Sequence, residues 1–436
     1  MNGKNEKGRT MPEKIYRTAD VFGIHRDLPL NYTTRQSADD LLLDSLTRDK
    51  HLVIYGSSKQ GKTSLRKHCL RDDDYITVHC SNKWDIAALH AAVLKKAGYE
   101  VTQGTSKTVT GRQKIFAKLT ASFLAGKAEG GAEAERTKQD RVDTAPLELD
   151  PEDVNDIIQA LCSIGFTKFI VLEDFHYLST ETQKDFSVAL KAFHENSKLC
   201  FIVIGVWLEE NRLTVYNGDL TGRVTPINAD KWTPEELDAV VKSGEALLHV
   251  SFAPDFRDHV IANSFDSVYI LQEACYRCCV AEDVNQTQNQ HKEIGSTQRS
   301  DEIIRTVVNQ QTGRFNSFLT QFSDGFQDTQ LQMYRWLLYP VLLASREELE
   351  VGLRLNAIRR SMQTKHPQGS SLNPGNITQA LQSAAALQVK KDIKPIILDY
   401  DQTNLRLNVV DKAFLIWLET QERKDLLELV DLPTDC

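Results

Sequence analysis

Short apolar runs alternate with helically spaced apolar positions along the first half of this chain. His51-Leu52-Val53-Ile54-Tyr55 is a run of the kind that forms a buried parallel strand, and residues 64–70 after it read as helix. Residues 75–80 form a second strand candidate, followed by a helix over about 84–97 with Ile86, Leu89, Ala92 and Val93 on one side. The pattern resumes with a helix over 151–164, the run 168–172, a helix over about 180–196 and the run 200–206. Upstream, Ser37-Ala38-Asp39-Asp40 reads as a helix start, with Leu41, Leu42, Leu43 and Leu46 as its apolar side. Strand, loop, helix, strand, helix predicts a right-handed parallel α/β domain.

Residues 102–150 interrupt this pattern. From Thr105 to Ala128 the segment carries Lys107, Arg112, Lys114, Lys118 and Lys127 with no acid. Ile115, Phe116, Leu119, Phe123 and Leu124 give it an apolar side, and Glu129-Gly130-Gly131-Ala132-Glu133 reads as linker. An inserted hairpin or helix is expected, either a solvated loop or an element that contacts DNA or a partner.

The second half reads differently. A helix over about 301–322 leads into apolar helical segments at 329–345 and 346–364. Asn373-Pro374-Gly375-Asn376 starts a helix over 376–388, and residues 396–400 and 405–410 form two strands around Asp401-Gln402-Thr403-Asn404. Helices followed by a β-hairpin is the order of a winged helix.

Composition narrows the class. The chain has 436 residues, enough for two or three cores, with 41% hydrophobic and 26% charged residues. No apolar run approaches a membrane span, and residues 1–10 lack the apolar core of a secretory signal, so a cytoplasmic protein is expected. Eight scattered cysteines suggest reduced thiols. Cys275-Tyr276-Arg277-Cys278-Cys279 has a C-x-x-C spacing but lies in an apolar helical stretch with no second ligand pair, which favours core cysteines over a metal. The net charge of −8 argues against a chain that coats nucleic acid all over. Between Arg346 and Lys412, however, ten basic residues face seven acidic ones, a locally basic module.

The chemistry-bearing stretch is Gly56-Ser57-Ser58-Lys59-Gln60-Gly61-Lys62-Thr63-Ser64, which reads G-x-x-x-x-G-K-T between a strand and a helix. Gly56 and Gly61 allow a tight turn that aims backbone N–H groups at phosphate oxygens, and the helix start adds its own. Lys62 is placed for the β- and γ-phosphates of ATP, and the Thr63 hydroxyl for Mg²⁺. About 110 residues on, Phe169-Ile170-Val171-Leu172 ends in Glu173-Asp174, the expected second half of such a site. Glu173 is assigned to the metal and Asp174 to the attacking water. The reversed order and the shorter aspartate imply slow hydrolysis.

With these motifs, residues 20–283 resemble the AAA+ ATPases, nearest the initiator-like (origin-recognition) branch and the related STAND signalling ATPases. The resemblance implies a P-loop NTPase parallel sheet with a helical lid, followed by an α+β winged-helix domain. Its boundaries are a flexible N-terminus at 1–18, the ATPase core at 19–230, the lid at 231–283 from Trp232-Thr233-Pro234, a linker helix at 284–325 and the winged helix at 326–436. It implies that Glu209 or Asn211 senses the γ-phosphate, although Trp207 stands where an Asn is often found. Arg223 is either a finger on a neighbouring protomer's phosphate or a surface salt bridge. The second lid arginine is missing from Asn263-Ser264-Phe265-Asp266-Ser267-Val268-Tyr269.

Two functions follow as expectations. In one, the ATPase self-associates through its nucleotide interface and controls an assembly on DNA, held through 346–412, or on a partner protein. In the other it is a STAND-like switch whose winged helix is an intramolecular latch gating a separate effector, without DNA binding. No membrane role is expected.

Overall fold

The computed structural model describes residues 14–24, 27–107, 113–120, 147–230, 232–327, 329–369 and 372–434. Arg112, Phe123, Leu124, Lys127 and the expected linker at 129–133 lie outside the described residues, as do 1–13 of the expected flexible N-terminus. The chain divides into two compact units, 41–55 with 70–228, and 1–40 with 56–69 and 229–436.

The strands of the first of these are β1 (His51–Tyr55), β2 (Tyr75–His79), β3 (Tyr99–Lys107), β4 (Gln113–Leu119), β5 (Leu147–Leu149), β6 (Phe169–Glu173), β7 (Phe201–Ile204) and β8 (Val224–Asn228). Five of them form one parallel sheet in the order β2-β6-β7-β1-β8. The apolar runs are explained by burial on both faces: Leu52, Ile54, Ile170, Val171, Leu172, Phe201 and Val203 are all sealed from solvent. Three of the crossover helices begin at an oxygen-bearing cap. Asp85 accepts from Ala88 N, Asp153 from Asn155 N and Ser179 from Thr182 N. The insertion is a hairpin of β3 and β4 widened by β5 into a three-stranded antiparallel sheet, with Ile115 and Ala117 turned into the core.

The second unit holds the phosphate loop, the helix Lys62–Cys69, and a run of helices: Pro234–Leu248, Pro254–Asn263, Val268–Ala281, Ser300–Asn309 and Thr312–Ser323. β9 (Val250–Phe252) pairs in parallel with β10 (Lys292–Ile294) among them. Residues 14–18 are tied down rather than free, with Tyr16 N donating to Thr287 Oγ1 and Thr18 Oγ1 to Val284 O. Then come the helices Met333–Leu343 and Arg346–Val351, β11 (Leu353–Arg354), the helices Leu355–Lys365, Pro374–Gln382 and Ala384–Lys390, and the hairpin of β12 (Leu398–Asp401) and β13 (Arg406–Val409). The sheet order β11-β13-β12, with the hairpin following the helices, is a winged helix.

Three helices expected as single are divided. The one over 346–364 breaks at Gly352, whose φ of 85° ends the first piece before the strand β11. The one over 301–322 breaks at Gln310-Gln311, and the one over 376–388 at Ser383.

Candidate functional site

The phosphate loop starts with Gly56 directly after β1 and bends at Gly56 (φ 141°), Lys59 (φ 61°) and Gly61 (φ 79°). It is held from several sides within its own unit. Ser57 donates to Asp230 through N–H at 2.7 Å and through its hydroxyl at 2.6 Å. A Cβ on Gly56 would lie 2.9 Å from Asp230 Oδ1, so the aspartate requires glycine there. Trp232 Nε1 donates to Gln60 O, and the Arg35 guanidinium, almost fully buried, lies 4.1 Å from the Trp232 ring and donates to Ala229 O. Lys62 is buried with its ammonium on two loop carbonyls, Gly56 O at 3.0 Å and Ser57 O at 2.5 Å. These bonds keep the cation at the mouth of the loop, where a phosphate oxygen is the stronger acceptor. Thr63 and Ser64 open the helix, with Thr63 exposed.

The winged helix reaches the loop. Ser58 N–H donates to Val410 O, just past β13, at 3.0 Å. Lys59 Nζ lies 3.9 Å from the Tyr269 ring centre. Partial desolvation holds its pKa below the usual lysine value, opposed by Asp411. Asp411 in turn accepts from Arg314 Nη2 at 2.6 Å and caps the helix Lys412–Glu419 through Ala413 N. Beside the loop opens a cleft of about 250 Å³ lined by Lys59, Gln60, Gly61, Lys62, Thr63 and Ser64 and walled by Gly23, Ile24, Pro29, Val268, Tyr269 and Gln272.

In the other unit, Glu173 ends β6 with its side chain buried, and its carbonyl accepts from Cys80 N. Asp174 follows it in a different backbone conformation. Its φ of 59° swings it off the strand into a left-handed turn, leaving the side chain 48% exposed and 3.9 Å from His79 Nδ1. Burial, with Asp174 nearby, pushes the Tyr177 hydroxyl up to about 12.

No protein-family model and no curated protein matches this chain in sequence. Among solved structures, a Walker-type ATPase of Pyrococcus abyssi matches 91% of this chain and 99% of its own at 10% identity and a TM-score of 0.50. The chain has a P-loop NTPase fold. The Orc1 protein of Aeropyrum pernix, solved in complex with DNA, matches 95% of this chain and 97% of its own at 10% identity and a TM-score of 0.42. A STAND protein with a tetratricopeptide repeat sensor from Pyrococcus horikoshii matches 98% of this chain and 46% of its own, at 12% identity and a TM-score of 0.37.

Within this fold, the expected accessory residues make the following contacts. Glu209 is buried against Arg212 at 3.4 Å, Asn211 sits exposed before the helix Arg212–Tyr216, and Trp207 fills the core behind β7. Arg223 pairs with Glu195 at 2.8 Å and donates to Asp219 O, the salt-bridge arrangement. Cys275, Cys278 and Cys279 are buried in the helix Val268–Ala281, where burial pushes each thiol pKa up. Among the described residues no cluster of three or more His, Cys, Asp or Glu could hold a metal, and no helix is long and apolar enough to cross a membrane. Sequence reasoning gave no role to Asp230, Arg35, Val410 or Asp411. Each meets the loop, or a residue that braces it, through contacts distant in sequence.

Proposed function

We propose that this chain is an ATP-operated switch in which the winged helix latches the phosphate loop. The observation that carries the reading is the bond from Ser58 N–H to Val410 O. A loop N–H of this kind is an anion donor, and a backbone carbonyl competes with phosphate for it. ATP arriving at the loop draws Lys62 from the Gly56 and Ser57 carbonyls and loosens the hairpin end at Val410-Asp411.

The residues present fit Mg²⁺, a hard cation that takes oxygen ligands: the exposed Thr63 hydroxyl and the Glu173 carboxylate, each argued from its own element. The metal neutralises phosphate charge when bound. Lys62 and the loop N–H groups at 56–64 orient the phosphates, and Asp174 holds the attacking water. An exposed Asp174 on a turn holds water loosely, in keeping with slow turnover. Arg223, paired with Glu195, would need to leave that pair to act on a neighbouring protomer, so self-association through it follows only after a change of partner. The effector released by the switch is a separate protein.

The helix that would enter a duplex groove is poor in cations, although Arg354 and Arg360 elsewhere in the module are exposed. The solvent face of the helix Pro374–Gln382 offers Asn373, Gln379 and Gln382 but no cation. Arg359 donates to Thr378, Arg406 to the Val351 and Gly352 carbonyls, and Arg346 pairs with Glu350. Phosphate contact needs cations free to displace counterions.

Backbone hydrogen exchange tests the reading. ATP with Mg²⁺ should speed exchange across 406–413 in the wild type and leave Lys62→Ala unchanged. ATP that binds without altering exchange there overturns the latch. Tight, salt-dependent duplex binding would favour the DNA-bound regulator instead.

A further inference from the structure

Outside the phosphate loop, the cleft beside it is lined by two polar side chains, the Tyr269 hydroxyl and the Gln272 amide, and only the amide is held in place by a buried partner. Gln272 lies on the helix Val268–Ala281 and lines the cleft with Ile24, Pro29, Val268 and Tyr269. Asn31, fully buried, donates from Nδ2 to Gln272 Oε1 at 2.8 Å. That bond fixes the amide. Its acceptor end is spent on Asn31, and its donor end, Nε2, has no hydrogen-bond partner among the described residues. The apolar walls suit the faces of a planar ring, and an oriented donor among them is how a small-molecule pocket fixes the orientation of its ligand.

We propose that Gln272, oriented by Asn31, reads the base of the bound nucleotide by donating from Nε2 to a ring nitrogen of a purine. The proposal rests on the reading that the loop at 56–64 binds ATP. Gln272 is the specificity-determining residue and Asn31 a positioning residue that acts through it. A donor in a site built for an acceptor discriminates because an analogue that lacks the acceptor leaves it unpaired.

The experiment measures affinities of the full chain for ATP and for 1-deaza-, 3-deaza- and 7-deaza-ATP, with inorganic triphosphate as the probe of the phosphate loop alone. One deaza analogue is expected to bind the wild type about 3- to 10-fold more weakly than ATP, the worth of one hydrogen bond. In Gln272→Leu that gap closes while triphosphate affinity stays unchanged. Gln272→Glu keeps the acceptor for Asn31 Nδ2 but removes the donor, so it weakens ATP and again leaves triphosphate unchanged. Asn31→Ala shrinks the same gap, a selectivity change that a merely structural role would not produce. Three deaza analogues that all bind the wild type like ATP overturn the proposal, as does a gap that persists in Gln272→Leu. ATP affinity indifferent to Lys62→Ala overturns the underlying reading, and the proposal falls with it.

Discussion

At Gly56 two constraints fall on one atom. The backbone φ of 141° is open to glycine and strained for other residues, and the missing Cβ leaves room for Asp230 Oδ1 at 2.9 Å from where it would stand. Asp230 uses that room to take two hydrogen bonds from Ser57, fixing the first turn of the loop. Gly56→Ala is expected to cost about 1–3 kcal/mol through backbone strain plus the clash with the carboxylate. Asp230→Ala is expected to cost a similar amount, about 1–3 kcal/mol, by leaving the Ser57 groups unpaired. The double variant should cost less than the sum, because removing the carboxylate removes the clash and leaves only the φ strain. Urea unfolding of the four proteins measures this. Strict additivity would mean that Asp230 does not set the glycine requirement.

At the scale of elements, what the sequence disclosed divides by the range of the deciding contact. β1, β6 and β7 were legible because a strand buried on both faces must be apolar throughout, a condition written within five residues. The phosphate loop was legible for the same reason, its requirements being local in chain. The break at Gly352 was not, since what demands it is distant: a Cβ there would meet Asn408 Oδ1 at 2.2 Å, across the winged-helix sheet. The apolar spacing on either side fits one helix equally well. Nor did the sequence disclose Val410 on Ser58, since a backbone carbonyl leaves no mark on residue type. Its neighbour Asp411 does carry a testable consequence. Arg314 is the paired cation of Asp411 and also stacks 4.4 Å from Phe315, so it braces the hairpin end that meets the loop. Arg314→Met should weaken that end and raise the on-rate of a fluorescent ATP analogue about 3- to 10-fold, in line with loss of one charge-assisted bond. Arg314→Lys should fall between. An on-rate unchanged in both variants would detach the hairpin from nucleotide entry.

Over the whole molecule, acid stability turns on two of the three histidines buried in the unit built on the parallel sheet. His51 has Nε2–H on Leu190 O at 3.1 Å, and its Nδ1 accepts from Phe201 N–H at 3.1 Å. A proton on Nδ1 would face that N–H donor to donor. His90 has Nδ1–H on Pro151 O at 2.8 Å, and a proton on Nε2 would find no acceptor. Burial, the largest cause, lowers both to about 4; at His51 the Leu190 carbonyl and Asp49 oppose it and His194 adds to it, and at His90 the Pro151 carbonyl opposes it. The sign follows from proton counts. Between the folded value near 4 and the unfolded value near 6.5, the unfolded chain binds more protons, so stability rises with pH. The contribution is complete above about pH 6.5 and is lost as pH falls toward 4, on the order of 3 kcal/mol for each histidine. Unfolding free energy should therefore drop steeply across that window. His90→Gln, whose amide can still donate to Pro151 O, should flatten the slope by about half even if it lowers stability at neutral pH. The same slope in wild type and His90→Gln would mean that carboxylates, not buried imidazoles, govern the acid limb.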